Sequence, residues 1–160
     1  MSVNKLSSEQ SVNKFQNQYG CNRKEAVGLD LCYQKVKEFQ VRFGNPISDI
    51  PSVMSEERRR IRTIYLLEEV LEFVNAEQVH EQADALIDLI YFAIGGMVEM
   101  GIAPQRIFEI VHKANMDKLG NNGIIYRDPV IDKIEKPHEW NDPWEELLHE
   151  VERQSVHGPG

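Results

Sequence analysis

The chain has 160 residues, of which 41% are hydrophobic and 28% charged, and its formal net charge is -8. These values are typical of one globular domain with a proper core, and the acidic balance argues against a nucleic-acid-binding protein, which needs a basic face. No apolar run approaches the roughly 20 residues of a membrane span, and the amino terminus carries no apolar signal region. We therefore expect a cytoplasmic protein whose Cys21 and Cys32 are reduced.

Apolar residues recur at helical spacing along most of the chain, so the predicted fold is all-α. A four-helix core (about 23–120) precedes an irregular tail (121–160), and the whole chain is expected to form a single domain. The predicted helices span 8–19 (short), 23–43, 55–76, 79–100, 103–119 and, in the tail, 143–153. Ser55 is the expected N-cap of one helix, and Gly44, Gly101 and Gly120 are expected to end others.

Carboxylates interrupt the apolar pattern in two neighbouring helices. Residues three or four apart share a helix face, which places Glu68 or Glu69 beside Glu72 in one row. By the same spacing Glu81, Asp84 and Asp88 form a second row. Burying such like charges without a partner is costly, so a cation is expected between the rows. Oxygen ligands favour a hard ion, Mg²⁺ or alternatively Mn²⁺.

The two rows meet only if the chain reverses between them. In one straight helix Glu69 and Asp88 would lie roughly 28 Å apart and could not share a metal ion. A helix break between about 75 and 78 would instead form an antiparallel helical hairpin with the rows facing each other. The metal-site prediction depends on this break, which little Gly or Pro marks.

Two other interpretations of the acids stay open at this point. An acidic cluster on a helix is most often a solvated face, which would make the chain a non-catalytic helical binding or assembly module. A carboxylate-bridged di-iron bundle needs Glu-x-x-His pairs on two helices. Four segments have that form: Glu109 to His112, Glu77 to His80, Glu146 to His149 and Glu135 to His138.

The acidic motifs in this order resemble those of the all-α nucleoside triphosphate pyrophosphohydrolases, the MazG-like superfamily that includes dimeric dUTPases and phosphoribosyl-ATP pyrophosphohydrolase. Glu68-Glu69-Val-Leu-Glu72 is similar to the EExxE element of that superfamily. Either Glu81-Gln-Ala-Asp84 or the segment at Asp88 is similar to its ExxD element, although the second alignment puts Ala85 at the glutamate position. The resemblance extends from residue 33 to residue 140 and includes Asn115-Met-Asp-Lys118.

The resemblance implies Mg²⁺-dependent hydrolysis of a nucleoside triphosphate between its α- and β-phosphates, giving the monophosphate and pyrophosphate. Glu69 and Glu72 would be metal ligands together with acids of the second row, and Glu68 would be the base. Exchange of the roles of Glu68 and Glu69 remains open. Asn115 and Lys118 would contact the phosphates.

Four aromatic residues are either core or the walls of a nucleobase pocket: Phe39, Phe43, Tyr91 and Phe92. The resemblance makes dUTP or another deoxynucleotide the first substrate to consider. The helix at 79–100 is apolar on too many sides for a small monomer, so a homodimer or homotetramer is expected, with active sites near the subunit contacts.

Overall fold

The computed structural model describes residues 28–119 and 123–157. Five α-helices follow one another in this part of the chain: α1 (Leu29–Phe43), α2 (Glu56–Asn75), α3 (Val79–Met100), α4 (Pro104–Met116) and α5 (Trp144–His157). A 3-10 turn, Asp117–Leu119, extends α4, and the isolated bridge between Arg127 and Ile134 is the one β-type pairing in the described ranges. The all-α prediction is therefore confirmed, whereas the helix predicted at 8–19 and the stop at Gly120 lie outside the described residues.

The core forms where α1 packs across α3. Tyr33 and Val36 of α1 are buried against Ile94 and Val98 of α3. Apolar side chains at three-to-four spacing bring these pairs to one face of each helix. Gly44 ends α1 in the left-handed conformation (φ 69°), as the sequence predicts, and Cys32 is a free thiol.

The helix break that the sequence requires lies at 76–78, between α2 and α3. No glycine or proline makes it. The Glu81 carboxylate accepts hydrogen bonds from the backbone N–H groups of Glu77 (3.0 Å) and Gln78 (2.9 Å), the two residues that precede α3. Asn75 donates to the Leu71 carbonyl (2.6 Å) at the end of α2. The two helices pack against each other as a hairpin.

The segment between α1 and α2 is tied to the carboxyl end of α3. The backbone N–H groups of Ser48 and Ser52 donate to the carbonyls of Val98 (3.1 Å) and Met100 (2.9 Å). Gly101 ends α3 with φ 70°, and a Cβ at this position would overlap the Ile50 carbonyl. Glycine is therefore required here both by conformation and by space.

Two side chains of the tail bond the backbone of the core. The Trp140 indole donates to the Ala114 carbonyl (2.6 Å), and the fully buried Gln154 amide bonds both the N–H (2.9 Å) and the carbonyl (3.2 Å) of Ala103. Trp140 thus anchors the tail, whereas Trp144 is 73% exposed. Helix α5 reaches His157, four residues beyond its predicted end.

The hairpin exposes much of its apolar surface. The side chains exposed on it include Ile64, Leu67, Leu71 and Val74 of α2, together with Leu86, Ile87 and Ile90 of α3. Within the described ranges of one chain, these side chains are not covered. In the described ranges no single helix is long and apolar enough to cross a membrane, although Val79–Met100 and Pro104–Leu119 pass that test together with a bend of 117°.

Candidate active site

The hairpin brings carboxylates of both rows into one electrostatic cluster centred on Glu69. Its side chain is 8% exposed, and Oε2 has no hydrogen-bond partner among the described residues. Burial raises the pKa of Glu69, and so do the charges of Glu72, Asp88, Glu68 and Asp84, in that order. These charges come from both α2 and α3, so acids of the two predicted rows lie close enough to interact electrostatically.

This cluster suits a cation. A buried carboxylate oxygen without a donor, surrounded by other carboxylates, is stabilised most simply by a positive ion, and oxygen donors favour Mg²⁺. In residues 28–119 and 123–157, however, no three His, Cys, Asp or Glu side chains already stand as a preformed metal-binding group. The residues therefore fit a divalent ion by charge and donor type, while their ligand geometry is not assembled.

The remaining predicted acids divide between the cluster and another role. Asp88 has a larger effect than Asp84 on the pKa of Glu69. Asp88 is also half-buried, whereas Asp84 is exposed. Glu81 is exposed and its carboxylate caps α3, so it is engaged with the backbone rather than with Glu69. The structure thus groups Glu68, Glu69, Glu72, Asp84 and Asp88, and it sets Glu81 apart.

A cavity of about 390 Å³ lies next to this cluster, between α1, α2 and α3. Glu68 borders it, as do the aromatic residues Phe39, Tyr91, Phe92 and Tyr65. Phe39 meets Tyr91 edge to face (centroids 5.7 Å apart), and Tyr65 lies 5.4 Å from Phe92. Phe43 stacks on Phe39 at 4.4 Å but does not border the cavity.

A second, cationic wall of the cavity was not predicted as part of the site. Arg58 and Arg62 of α2 both donate to the carboxylate of Glu99, at distances between 2.5 and 3.1 Å. Burial alone would raise the pKa of Glu99, but hydrogen bonds from Arg58 and Arg62 hold it below its ordinary value. The available sequence signal was Glu99 itself, an acid that follows the apolar second half of α3 and must be paired if it is buried.

Asn115 and Lys118 are paired with each other. Lys118 Nζ donates to Asn115 Oδ1 (2.6 Å) at the end of α4. Within the described chain no hydrogen bond or ion pair links either residue to the acidic cluster. Of the Glu-x-x-His segments, Glu109 accepts hydrogen bonds from Gln105 and Arg106, and Glu146 accepts one from Lys113. These two glutamates are therefore satisfied without a metal ion.

The decisive comparison is with a protein family. The model of the family described as phosphoribosyl-ATP pyrophosphohydrolase matches residues 36–115, half of the chain. The chain belongs to this family. The predicted resemblance to the MazG-like superfamily is thereby confirmed, and this pyrophosphohydrolase is an enzyme that hydrolyses a phosphoric anhydride bond. The matched segment contains the whole acidic cluster, the four aromatic residues of the cavity and Asn115, but it ends before Lys118.

A protein of known structure is also similar to this chain. The pyrophosphohydrolase is 29% identical to a candidate NTP pyrophosphohydrolase from Exiguobacterium sp. 255-15 whose crystal structure is known. That likeness covers 79% of this chain and 96% of the other, with a TM-score of 0.44. Comparison with curated proteins gives no match.

Proposed function

We propose that this pyrophosphohydrolase cleaves a nucleoside triphosphate between the α- and β-phosphates and releases the monophosphate and pyrophosphate. One water is consumed and one anhydride bond breaks. The observation that carries the proposal is the placement of the acidic cluster beside an aromatic cavity, because a triphosphate with its cations and a nucleobase need adjoining sites of these two kinds. The cavity volume of about 390 Å³ suits a small-molecule ligand.

The cluster is proposed to hold Mg²⁺, with Mn²⁺ as an alternative. When bound, the ions neutralise charge on the phosphate oxygens. Glu69 and Glu72 are the proposed ligands from α2, and the half-buried Asp88 is favoured over Asp84 on α3 because its charge affects Glu69 more strongly. Glu81 is a weaker candidate, since its carboxylate caps the helix.

Glu68 is the proposed general base. It borders the cavity and is exposed, so it can reach a water that approaches a bound phosphate. Glu69, which is buried within the cluster, is better placed to contact an ion than to accept a proton. Phe39 and Tyr91 would contact the nucleobase, and dUTP or another deoxynucleotide is the proposed substrate. Asn115 and Lys118 keep the role of phosphate contacts implied by the resemblance.

A substrate panel tests the proposal. We expect Mg²⁺ with a deoxynucleoside triphosphate to yield monophosphate and pyrophosphate in equal amounts, and we expect chelation by EDTA to stop the reaction. Ion-exchange chromatography of the products distinguishes this cleavage from release of orthophosphate and a diphosphate. Binding without turnover across the whole panel would favour the helical binding module, and iron colour on purification would favour the di-iron bundle.

We also propose that the chain works as a homodimer or homotetramer formed through the hairpin. The exposed apolar side chains on both of its helices form a surface that a second copy with the same apolar face can cover. A second copy would also enclose the open side of the acidic cluster. Among the described residues Lys118 bonds Asn115 and no hydrogen bond or ion pair ties either to the cluster, and an assembly offers a route by which they reach a site.

Light scattering coupled to size exclusion should report two or four times the chain mass of 18.5 kDa. Leu71→Glu, which places a charge on the exposed hairpin face, should shift the protein to monomers and reduce activity. Val53→Glu is the matched control, because Val53 is 88% exposed in the segment before α2 and should leave the mass unchanged. A wild-type protein that is monomeric at assay concentration would end the oligomer proposal.

A further inference from the structure

The side chains in the cationic wall of the cavity are joined by hydrogen bonds. Arg62 Nε donates to Glu99 (2.8 Å), and its Nη2 donates both to Gln40 Oε1 (3.0 Å) and to the Gly95 carbonyl (3.0 Å). Gln40, which is 2% exposed, is fixed in turn by donating to the Pro46 carbonyl (2.6 Å). Each acceptor in this network is therefore already bound by a donor of the protein.

The donors of the wall are not all used. A guanidinium group has five N–H donors and no acceptor. The two Nη1 groups, of Arg58 and Arg62, have no partner among the described residues, and both side chains border the cavity. The two arginines share the single charge of Glu99, whose side chain is 6% exposed, so the wall carries a net positive charge. The unused groups of the two guanidiniums are donors only.

The other polar groups around the cavity discriminate less between donor and acceptor groups of a ligand. The Asn45 amide and the hydroxyls of Tyr65 and Tyr91 each both donate and accept hydrogen bonds. Glu68 accepts only, but it lies about 9 Å from Arg62 along α2, toward the acidic cluster. The aromatic residues offer flat surfaces to any planar ring. The two arginines are therefore the groups that discriminate between substituents of the base.

We infer that the donor-only wall formed by Arg58 and Arg62 makes the enzyme select nucleobases that present a keto oxygen over those that present an amino group at the same position. This inference rests on the proposed function, since it assumes that the base of a nucleotide occupies the cavity. A keto oxygen accepts hydrogen bonds from the unused guanidinium donors, as guanine O6 does from arginine in nucleic-acid recognition. An amino group at the same place would point its N–H donors at the guanidinium donors, and no hydrogen bond would form.

Two substrate pairs test this difference: dUTP against dCTP, and dITP against dATP. In each pair one keto group is exchanged for one amino group, and the neighbouring ring N–H becomes an acceptor nitrogen. We expect kcat/KM to favour the keto member of each pair by about ten-fold or more. Steady-state pyrophosphate release measures both ratios. Ratios near one, or in favour of the amino members, would overturn the inference while leaving the proposed function standing. Absence of turnover with all four nucleotides would overturn the proposed function itself.

A pair of neighbouring glycines provides a matched test of the wall. A Cβ added at Gly95 would lie 2.8 Å from both Arg62 Nη1 and Gln40 Oε1, whereas one added at Gly96 meets nothing within 4 Å. Gly95→Ala should therefore displace the guanidinium group and lower both keto-to-amino ratios several-fold without removing any charge. Gly96→Ala should keep the wild-type ratios.

Arg62→Met provides a second variant in case Gly95→Ala folds poorly, since Arg58 still pairs with Glu99. It should lower kcat/KM for the keto substrates more than kcat/KM for the amino substrates. A general structural defect would lower both by the same factor. Wild-type ratios in a folded Arg62→Met protein would remove the wall from base selection.

Discussion

Glu69→Gln is expected to lower kcat/KM for the triphosphate by at least about 100-fold, the scale at which a metal-ligand or proton-transfer residue acts. The buried Glu69 carboxylate lies in the field of four other acids, and Oε2 has no donor among the described residues. A neutral amide in its place weakens attraction for a divalent cation and replaces one of the proposed ligand oxygens by a nitrogen. Asp88→Asn should reduce activity by a similar factor, because the charge of Asp88 acts on Glu69 from α3.

A measurement that does not depend on turnover separates metal binding from other causes. Mg²⁺ should raise the melting temperature of the wild-type protein, because an ion that binds only the folded state stabilises it. The increase should be much smaller in Glu69→Gln. Glu77→Gln, an exposed acid at the turn of the hairpin, should behave like the wild type. Near-normal activity in both Glu69→Gln and Asp88→Asn, with helical circular dichroism intact, would remove these residues from the proposed site.

The acidic rows show how much of the site the sequence predicts. The helical spacing of Glu68, Glu69 and Glu72 follows from elementary geometry, and the requirement that like charges find a common partner implies the chain reversal. The sequence does not mark the position of the reversal clearly, because a capping interaction forms it rather than glycine or proline. The same interaction explains why Glu81, although correctly spaced for the second row, points its carboxylate at backbone N–H groups.

Long-range pairings are the part that spacing alone does not reveal. Arg58 and Arg62 belong to a run of arginines that looks like a solvated face, and their partner Glu99 is 37 residues beyond Arg62. Only the packing of α2 on α3 brings them together. The exposed apolar residues of the hairpin pose the opposite problem, because the periodicity of Leu67, Leu71 and Val74 indicates burial without indicating whether the same chain or another copy provides it.

The largest expected effect on stability comes from Glu99→Gln. It should lower the free energy of unfolding by about 3 kcal/mol, the range measured when one partner of a buried ion pair is removed. Two guanidinium groups would then share a pocket with no counter-charge, and the new amide N–H₂ could face their donors. Urea denaturation at neutral pH measures the difference. Glu56→Gln is the matched control: its ion pair with Arg60 is exposed on both sides, so its loss should cost less than about 1 kcal/mol.

The pH dependence of this difference identifies its origin. The pKa of Glu99 is lower in the folded protein than its ordinary value, so the folded state favours the charged carboxylate. Its stabilisation is therefore complete above the pKa of an unfolded glutamate and is lost as the pH falls through the lower folded value. The gap in unfolding free energy between wild type and Glu99→Gln should accordingly stay constant from pH 8 to about 5 and narrow in stronger acid. If the difference in unfolding free energy does not narrow in acid, Gln at this position destabilises by shape or hydrogen bonding rather than by lost charge. If the difference is no larger than that of Glu56→Gln, the arginines need no carboxylate.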